Sequence, residues 1–302
     1  MSASATRRGF LGASMLAAAG LTGFGPKTAR AIEPIARSGK AKFKFSLAAY
    51  SYRDLLGGKS PQLTLADFID DCAKMQLEGT ELTSYYFPAD TDDDYLRKLK
   101  LQAFRLGLNV SGTAVGNDFC HPAGPERDKQ ISLVKLWVDR AEVLGAPVIR
   151  IFSGNAKKGQ SEAEAHTLAL EGMEECCDYA GKHGVVLALE NHGGLTTTIE
   201  GLLSLVQDVK SPWFGVNLDS GNFRSSDPYA DLARLAPYAM NVQIKVSMHP
   251  AGGKQEKADF KRLAKILGDA GYRGYIVLEF EEPEEPRAAC PRYIDEIRQA
   301  FA

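Results

Sequence analysis

From residue 43 onward, short runs of β-branched and apolar residues alternate with longer stretches in which apolar residues recur every three or four positions. The short runs predict eight strands, over 43–52, 79–86, 109–117, 147–154, 185–192, 215–222, 240–247 and 275–281. The stretches between them predict amphipathic helices. Leu65, Phe68, Ile69, Cys72 and Met75 show the spacing, as do Ile131, Val134, Leu136, Val138 and Leu144. Gly79, Gly107, Gly145, Gly184 and Gly271 stand where a helix ends before a strand, a place that wants a left-handed cap. Uniformly apolar strands such as Val185-Val186-Leu187-Ala188-Leu189 suit a parallel sheet covered on both faces.

Eight βα units in roughly 250 residues are the size of a single (β/α)8 TIM barrel, an α/β fold. An open doubly wound sheet is the competing architecture. It is disfavoured because no G-x-G-x-x-G opens the first helix; the first unit reads Tyr50-Ser51-Tyr52-Arg53 and then Gly-Gly-Lys. No repeat, second domain or low-complexity tract follows residue 42, so 43–302 is expected to be one barrel, with 32–42 as a linker.

The first 31 residues read differently. Arg7-Arg8-Gly9-Phe10-Leu11 precedes a short apolar run ending in Ala29-Arg30-Ala31, the pattern of a cleavable export signal. Paired arginines make it similar to a twin-arginine (Tat) signal, which implies export of a folded protein to the periplasm or beyond. Removing 1–31 takes away four basic residues and no acid, moving the formal charge from −2 to −6. That charge, with five His in the whole chain, gives no field for nucleic acid. The apolar run is too short for a stable membrane span. Five Cys with no C-x-x-C indicate neither a disulfide framework nor a thiolate metal site.

In a barrel of this kind chemistry sits where the strands end. Strand five runs into Glu190-Asn191-His192, and strand six into Asp219-Ser220-Gly221-Asn222. Strand seven carries Gln243 and Lys245, and strand eight runs into Glu279. Carboxylates gathered at one mouth repel one another unless something positive sits among them. One divalent cation, held by Glu190, Asp219, Glu279 and the Gln243 carbonyl, is the expected answer. An all-oxygen set favours Mg²⁺ or Mn²⁺, with Co²⁺ or Zn²⁺ admissible.

E-N-H, L-D-S-G-N, V-Q-I-K-V and V-L-E on strands five to eight resemble the xylose isomerase-like superfamily, specifically its sugar phosphate isomerase/epimerase domains, over about residues 43–300. By that resemblance Glu190 and Glu279 are acid/base residues as well as ligands, and Gln243 replaces the His ligand of the ketose 3-epimerases. The implied function is a divalent-metal-dependent isomerase or epimerase of sugars or keto-sugars, acting by proton abstraction α to a carbonyl through an enediolate. The alternative is an exported keto-sugar lyase or dehydratase using the same cup, since Gln at 243 is shared with 3-dehydroshikimate dehydratases. The zinc-dependent DNA endonucleases of the superfamily need more His and a basic face. A carbohydrate-binding barrel without catalysis would have a broken acidic cup.

Candidate substrate contacts are His192, Asn222, Lys245, His249, Arg150 and Tyr52, with Tyr50 and Arg53 beside the last as a sugar platform; the alternative for Lys245 is pairing with the carboxylates, and for Arg150 bridging barrel acids. Asn222 and His249 stand where the epimerases place a substrate-binding His and Arg. His249-Pro250-Ala251-Gly252-Gly253-Lys254 could cradle a phosphate, although phosphorylated sugars are scarce outside the cytoplasm. The partner is therefore a small sugar or keto-sugar; whether the chain forms a homo-oligomer is left open.

Overall fold

The computed structural model describes residues 32–302. The export signal expected over 1–31 lies outside the described residues. Eight parallel strands close into a barrel: β1 Lys42–Ala48, β2 Gly79–Thr83, β3 Asn109–Ala114, β4 Val148–Ile151, β5 Val186–Glu190, β6 Phe214–Asp219, β7 Ala239–Ile244 and β8 Arg273–Leu278. They follow one another in order around the barrel, and β1 closes it against β8 with Lys42 opposite Arg273 and Leu47 opposite Leu278. A helix follows each strand: α1 Leu65–Lys74, α2 Asp93–Arg105, α3 Pro125–Leu144, α4 Glu162–Lys182, α5 Ile199–Asp208, α6 Pro228–Leu235, α7 Phe260–Asp269 and α8 Pro286–Phe301.

The helices start where side chains can take up the free amides of the first turn. Thr64 with Asp67 and Ser161 with Glu164 form reciprocal capping boxes on α1 and α4. Asp92, Thr198, Asp227 and Asp259 cap α2, α5, α6 and α7. Gly107, Gly145, Gly184 and Gly271 adopt the left-handed conformation expected of them. Gly79 does not. It is the first residue of β2, where a Cβ would lie 2.6 Å from the Tyr275 ring, and Gln76 (φ 54°) makes the left-handed turn instead.

The main core lies between strands and helices, with Phe68, Ile69, Leu82, Val138, Leu187, Leu202 and Leu278 all fully buried. Each such side chain contributes about 1.5–3 kcal/mol on burial. Ile35 and Arg37, ahead of β1, lie against the barrel: the Ile35 amide donates to the Pro237 carbonyl and Arg37 reaches the carbonyl of Ala270. The barrel interior is polar for much of its height. Ser46, Glu81, Ser111, Asn217, Asn241 and Gln243 are all buried there.

Every strand ends two to four residues earlier than its apolar pattern predicts. The chain leaves the ladder at the C-terminal mouth, where the expected site residues lie. After β7 a two-residue pairing, Ser247–Met248 against Glu256–Lys257, folds the 249–255 loop over on itself. Among the described residues no helix is long and apolar enough to cross a membrane.

Candidate active site

Glu190 and Asp219 are the last residues of β5 and β6, and Lys245 and Glu279 follow directly on β7 and β8. All four are buried at the same end of the barrel. The motifs around them explain how. Asn191 replaces a ladder rung: its Oδ1 accepts from the Asp219 amide and its Nδ2 donates to the Asp219 carbonyl, both at 2.9 Å. Ser220 Oγ accepts from the Lys245 amide at 2.8 Å, tying β6 to β7. Ser51, in the turn after β1, accepts from the Phe280 amide and donates to the Leu278 carbonyl, so it grips Glu279 from both flanks.

Gly221 is required by close approach. A Cβ there would stand 2.7 Å from Lys245 Cγ and 2.9 Å from the Ser247 carbonyl oxygen. Its amide donates to Asp219 Oδ1 at 2.8 Å. The sequence Asp-Ser-Gly thus turns the aspartate inward while letting the lysine stem pass over it.

Two cations are threaded among the acids. Lys245 Nζ lies 2.6 Å from Glu279, 2.8 Å from Glu281 and 3.5 Å from Asp219. Arg150 Nε lies 2.9 Å from Glu190, and its remaining nitrogens donate to the Val115 carbonyl and the Tyr85 hydroxyl. Asn222 Nδ2 donates to the other Glu190 oxygen at 2.9 Å. The acids consequently differ in how readily they ionise. Burial pushes Glu190 up to about 7, an effect Arg150 opposes and Glu279 reinforces. Burial also raises Asp219 well above the usual carboxylate range, against the pull of Lys245. Glu279 goes the other way. Burial would raise it, but the charge and hydrogen bond of Lys245, helped by Arg150, hold it below its ordinary value.

Beneath the mouth lies a second acid that the strand-end argument misses. Glu81, in the middle of β2, is fully buried and accepts from Asn241 Nδ2 at 2.9 Å and Gln243 Nε2 at 2.7 Å. Burial, with the Glu279 charge adding to it, lifts Glu81 to about 7. Its sequence signal was an acid inside a strand expected to be covered on both faces.

Of the remaining expected site residues, Gln243 sits deeper than the four mouth residues. Its Oε1 accepts from Asn217 at 2.6 Å, and its Nε2 faces Glu81 and, at 3.4 Å, Glu279. His192 is at the rim, its ring tilted against Phe152 with centroids 4.6 Å apart. Tyr50 and Tyr85 meet edge to face, and the Arg150 guanidinium lies over both the Tyr85 and Phe152 rings. Tyr52 is not at the mouth. The chain enters a 3-10 turn at Ala49–Tyr52, so the alternation that would align Tyr52 with Tyr50 is broken, and Tyr52 packs on Phe68 under the helices. Arg53 donates to the Phe280 and Glu281 carbonyls and so anchors the strand-eight loop. His249 lies beyond Lys245 on the loop after β7, beside Asn222 in a side cleft.

The donor chemistry suits a hard cation. Five carboxylates, from Glu81, Glu190, Asp219, Glu279 and Glu281, meet two fixed cations, and Asp219 Oδ2 is buried without a hydrogen-bond partner. An acid surplus in a desolvated place is relieved by protons or by a metal ion. As the side chains stand, Lys245 and Arg150 divide the acids. No three His, Cys, Asp or Glu among the described residues converge closely enough to form a coordination shell by themselves.

L-ribulose-5-phosphate 3-epimerase UlaE of Salmonella typhimurium is 23% identical over 209 residues, covering 65% of this chain and 74% of that protein. Among solved structures, D-psicose 3-epimerase from Clostridium cellulolyticum H10 superposes with a TM-score of 0.71 at 16% identity, over 85% of this chain and 99% of that one. The 3-keto-D-glucoside 4-epimerase YcjR of E. coli superposes at 0.65 with 15% identity, over 86% and 100%. The family described as xylose isomerase-like TIM barrel matches residues 69–298. This chain belongs to the xylose isomerase-like TIM barrel family.

Proposed function

We propose that the protein is a sugar isomerase or epimerase that abstracts a proton α to a carbonyl. The observation that carries this reading is the pair Glu190 and Glu279. They enter one buried mouth from β5 and β8, each held by its own cation, Arg150 and Lys245. The activities named for UlaE, D-psicose 3-epimerase and YcjR support it.

A divalent ion would be held by Glu190, Asp219 and Glu279, with Gln243 as the fourth donor if its amide turns from Asn217. When bound, such an ion polarises a sugar carbonyl and stabilises the negative charge that develops as the α-proton leaves. The rest falls to the chain. Glu279, kept ionised by Lys245, takes the α-proton. Glu190, tied to Arg150 and Asn222, returns a proton to the neighbouring carbon for isomerisation, or to the opposite face for epimerisation. Lys245 and Arg150 neutralise charge that would otherwise accumulate on the carboxylates. His192 and Phe152 offer a flat wall to the sugar ring. Residues 1–31 support export of the enzyme, so its substrate would be met outside the cytoplasm.

The test is incubation of the Mn²⁺- or Mg²⁺-loaded protein in D₂O with free ketoses and 3-oxidised sugars and glycosides, followed by NMR. Deuterium at the α-carbon with an epimerised or isomerised product is the expected result. Loss of the substituent β to the carbonyl would assign a lyase instead. Absence of exchange throughout the panel would contradict the proposal.

A further inference from the structure

Beside the mouth, between the loops after β6, β7 and β8, runs a cleft of about 290 Å³. It starts at Lys245 and Asn222, the side chains that touch Glu279 and Glu190, and extends outward past His249 and Arg224 to Glu282. That volume approaches the size of a complete small-molecule site and far exceeds what one hydroxyl needs. The reacting ring already has a wall on the other side of the mouth, where Tyr50, Tyr85, Phe152 and His192 gather. The cleft is therefore free for a second group on the same substrate.

Its walls define that group. Donors from Arg224, His249 and Gln255 alternate with the carboxylates of Glu281 and Glu282. His249 Nδ1 is buried without a hydrogen-bond partner, while Gln255 Nε2 is 3.3 Å from Glu282. A phosphate accepts but barely donates, and here it would face two carboxylates; a sugar hydroxyl does both. The glycine-rich loop gives no phosphate cradle either. The Ala251 amide donates to the Ser225 carbonyl and the Gly253 amide to the Pro250 carbonyl, so two of its N–H groups are spent. Of the two cations in the lining, Lys245 is already shared by Glu279 and Glu281, which leaves Arg224 to face the carboxylates of Glu281 and Glu282.

We infer that the substrate is an unphosphorylated saccharide of at least two units, with the second sugar in the cleft between Asn222, His249 and Glu282. This rests on the proposed proton transfer at the mouth and narrows its substrate class. A glycosidic bond ties up the anomeric carbon, so the activating carbonyl is either a reducing-end ketose or an oxidised ring carbon. Both arms are testable.

The metal-loaded protein is offered fructose, fructose 6-phosphate and isomaltulose, and separately 3-oxidised methyl glucoside and 3-oxidised maltose. The kcat/KM for α-proton exchange with D₂O is read by NMR. In at least one arm the disaccharide is expected to exceed its monosaccharide by tenfold or more, with the phosphate ester no better than the free sugar. In Arg224→Ala and Glu282→Ala the ratio of disaccharide to monosaccharide is expected to fall to near one. Equal values for one and two units, or tenfold preference for the phosphate, would overturn the inference. Saturation-transfer NMR with unoxidised maltose tests the cleft without turnover. Saturation of both rings supports the inference even if no exchange occurs, in which case only the proton-transfer reading falls. Saturation confined to one ring would overturn it.

Discussion

The mouth of the barrel and the layer beneath it handle the same difficulty in opposite ways. Both bury carboxylates in a place where desolvation penalises charge. In the lower layer, Glu81 is surrounded by the neutral amides of Asn241 and Gln243, and burial lifts it to about 7. At the mouth, Glu190 and Glu279 are given cations, and Lys245 holds Glu279 below its ordinary value. Neutral partners fill a core and keep an acid from ionising readily. A charged partner keeps an acid ionised only where it outweighs burial, as Lys245 does for Glu279; Glu190, beside Arg150, still rises to about 7. The difference separates a floor of neutral amides from a mouth lined by ion pairs within one barrel.

The comparison predicts where damage should fall. Chelation comes first: EDTA should abolish turnover, with added Mn²⁺ or Mg²⁺ restoring it, while the melting temperature shifts far less than activity. Indifference to chelator would remove the cation from the account. Lys245→Met should follow. Removing one partner of a buried ion cluster destabilises by about 3–5 kcal/mol, and here it also takes the cation from Glu279. Denaturation should show the loss of stability and a steady-state assay the loss of turnover; an active, fully stable variant would show that the lysine is dispensable. Gly221→Ala should be milder in stability and still harmful to rate, because the added methyl group displaces the Lys245 stem. Rates equal to the parent protein would mean that the close approach is irrelevant. Glu81→Gln should have the smallest effect on chemistry. It presents an amide N–H₂ to one of two donors, leaving a buried group unsatisfied at about 1–3 kcal/mol, with relief of the buried charge offsetting part of this. A collapse of turnover as severe as at the mouth would erase the distinction between the two layers.

Much of this was legible before the fold. Eight strands, their helices and four of the five glycine caps follow from periodicity and from the few positions that need positive φ. The strand ends did not. Apolar and β-branched residues continue past Ala48, Ala114 and Ile151, so propensity cannot see that the ladder stops there. Tyr52 shows the consequence, since a period-2 reading holds only while the chain remains a strand. The acids at the ends of β5, β6 and β8 stood out because they interrupt apolar runs. Glu81 lies inside a polar-rich strand, Gly79-Thr80-Glu81-Leu82-Thr83, so it breaks no apolar run and does not stand at a strand end. Lys245 was visible as a residue. Its pairing with carboxylates was one of two readings the sequence allowed; that Asp219, Glu279 and Glu281 all meet it depends on the approach that Gly221 permits.

Glu279 is the acid on which the account leans hardest, being the one the mouth keeps charged. The most direct measurement is the rate of α-proton exchange with D₂O, by NMR on a turned-over substrate, in the parent protein and in Glu279→Gln, with folding confirmed by thermal melting. Positioned general bases contribute about 10²–10⁴-fold, so exchange in the folded variant should drop by at least a hundredfold. Exchange within a few-fold of the parent rate would mean that another group removes the proton.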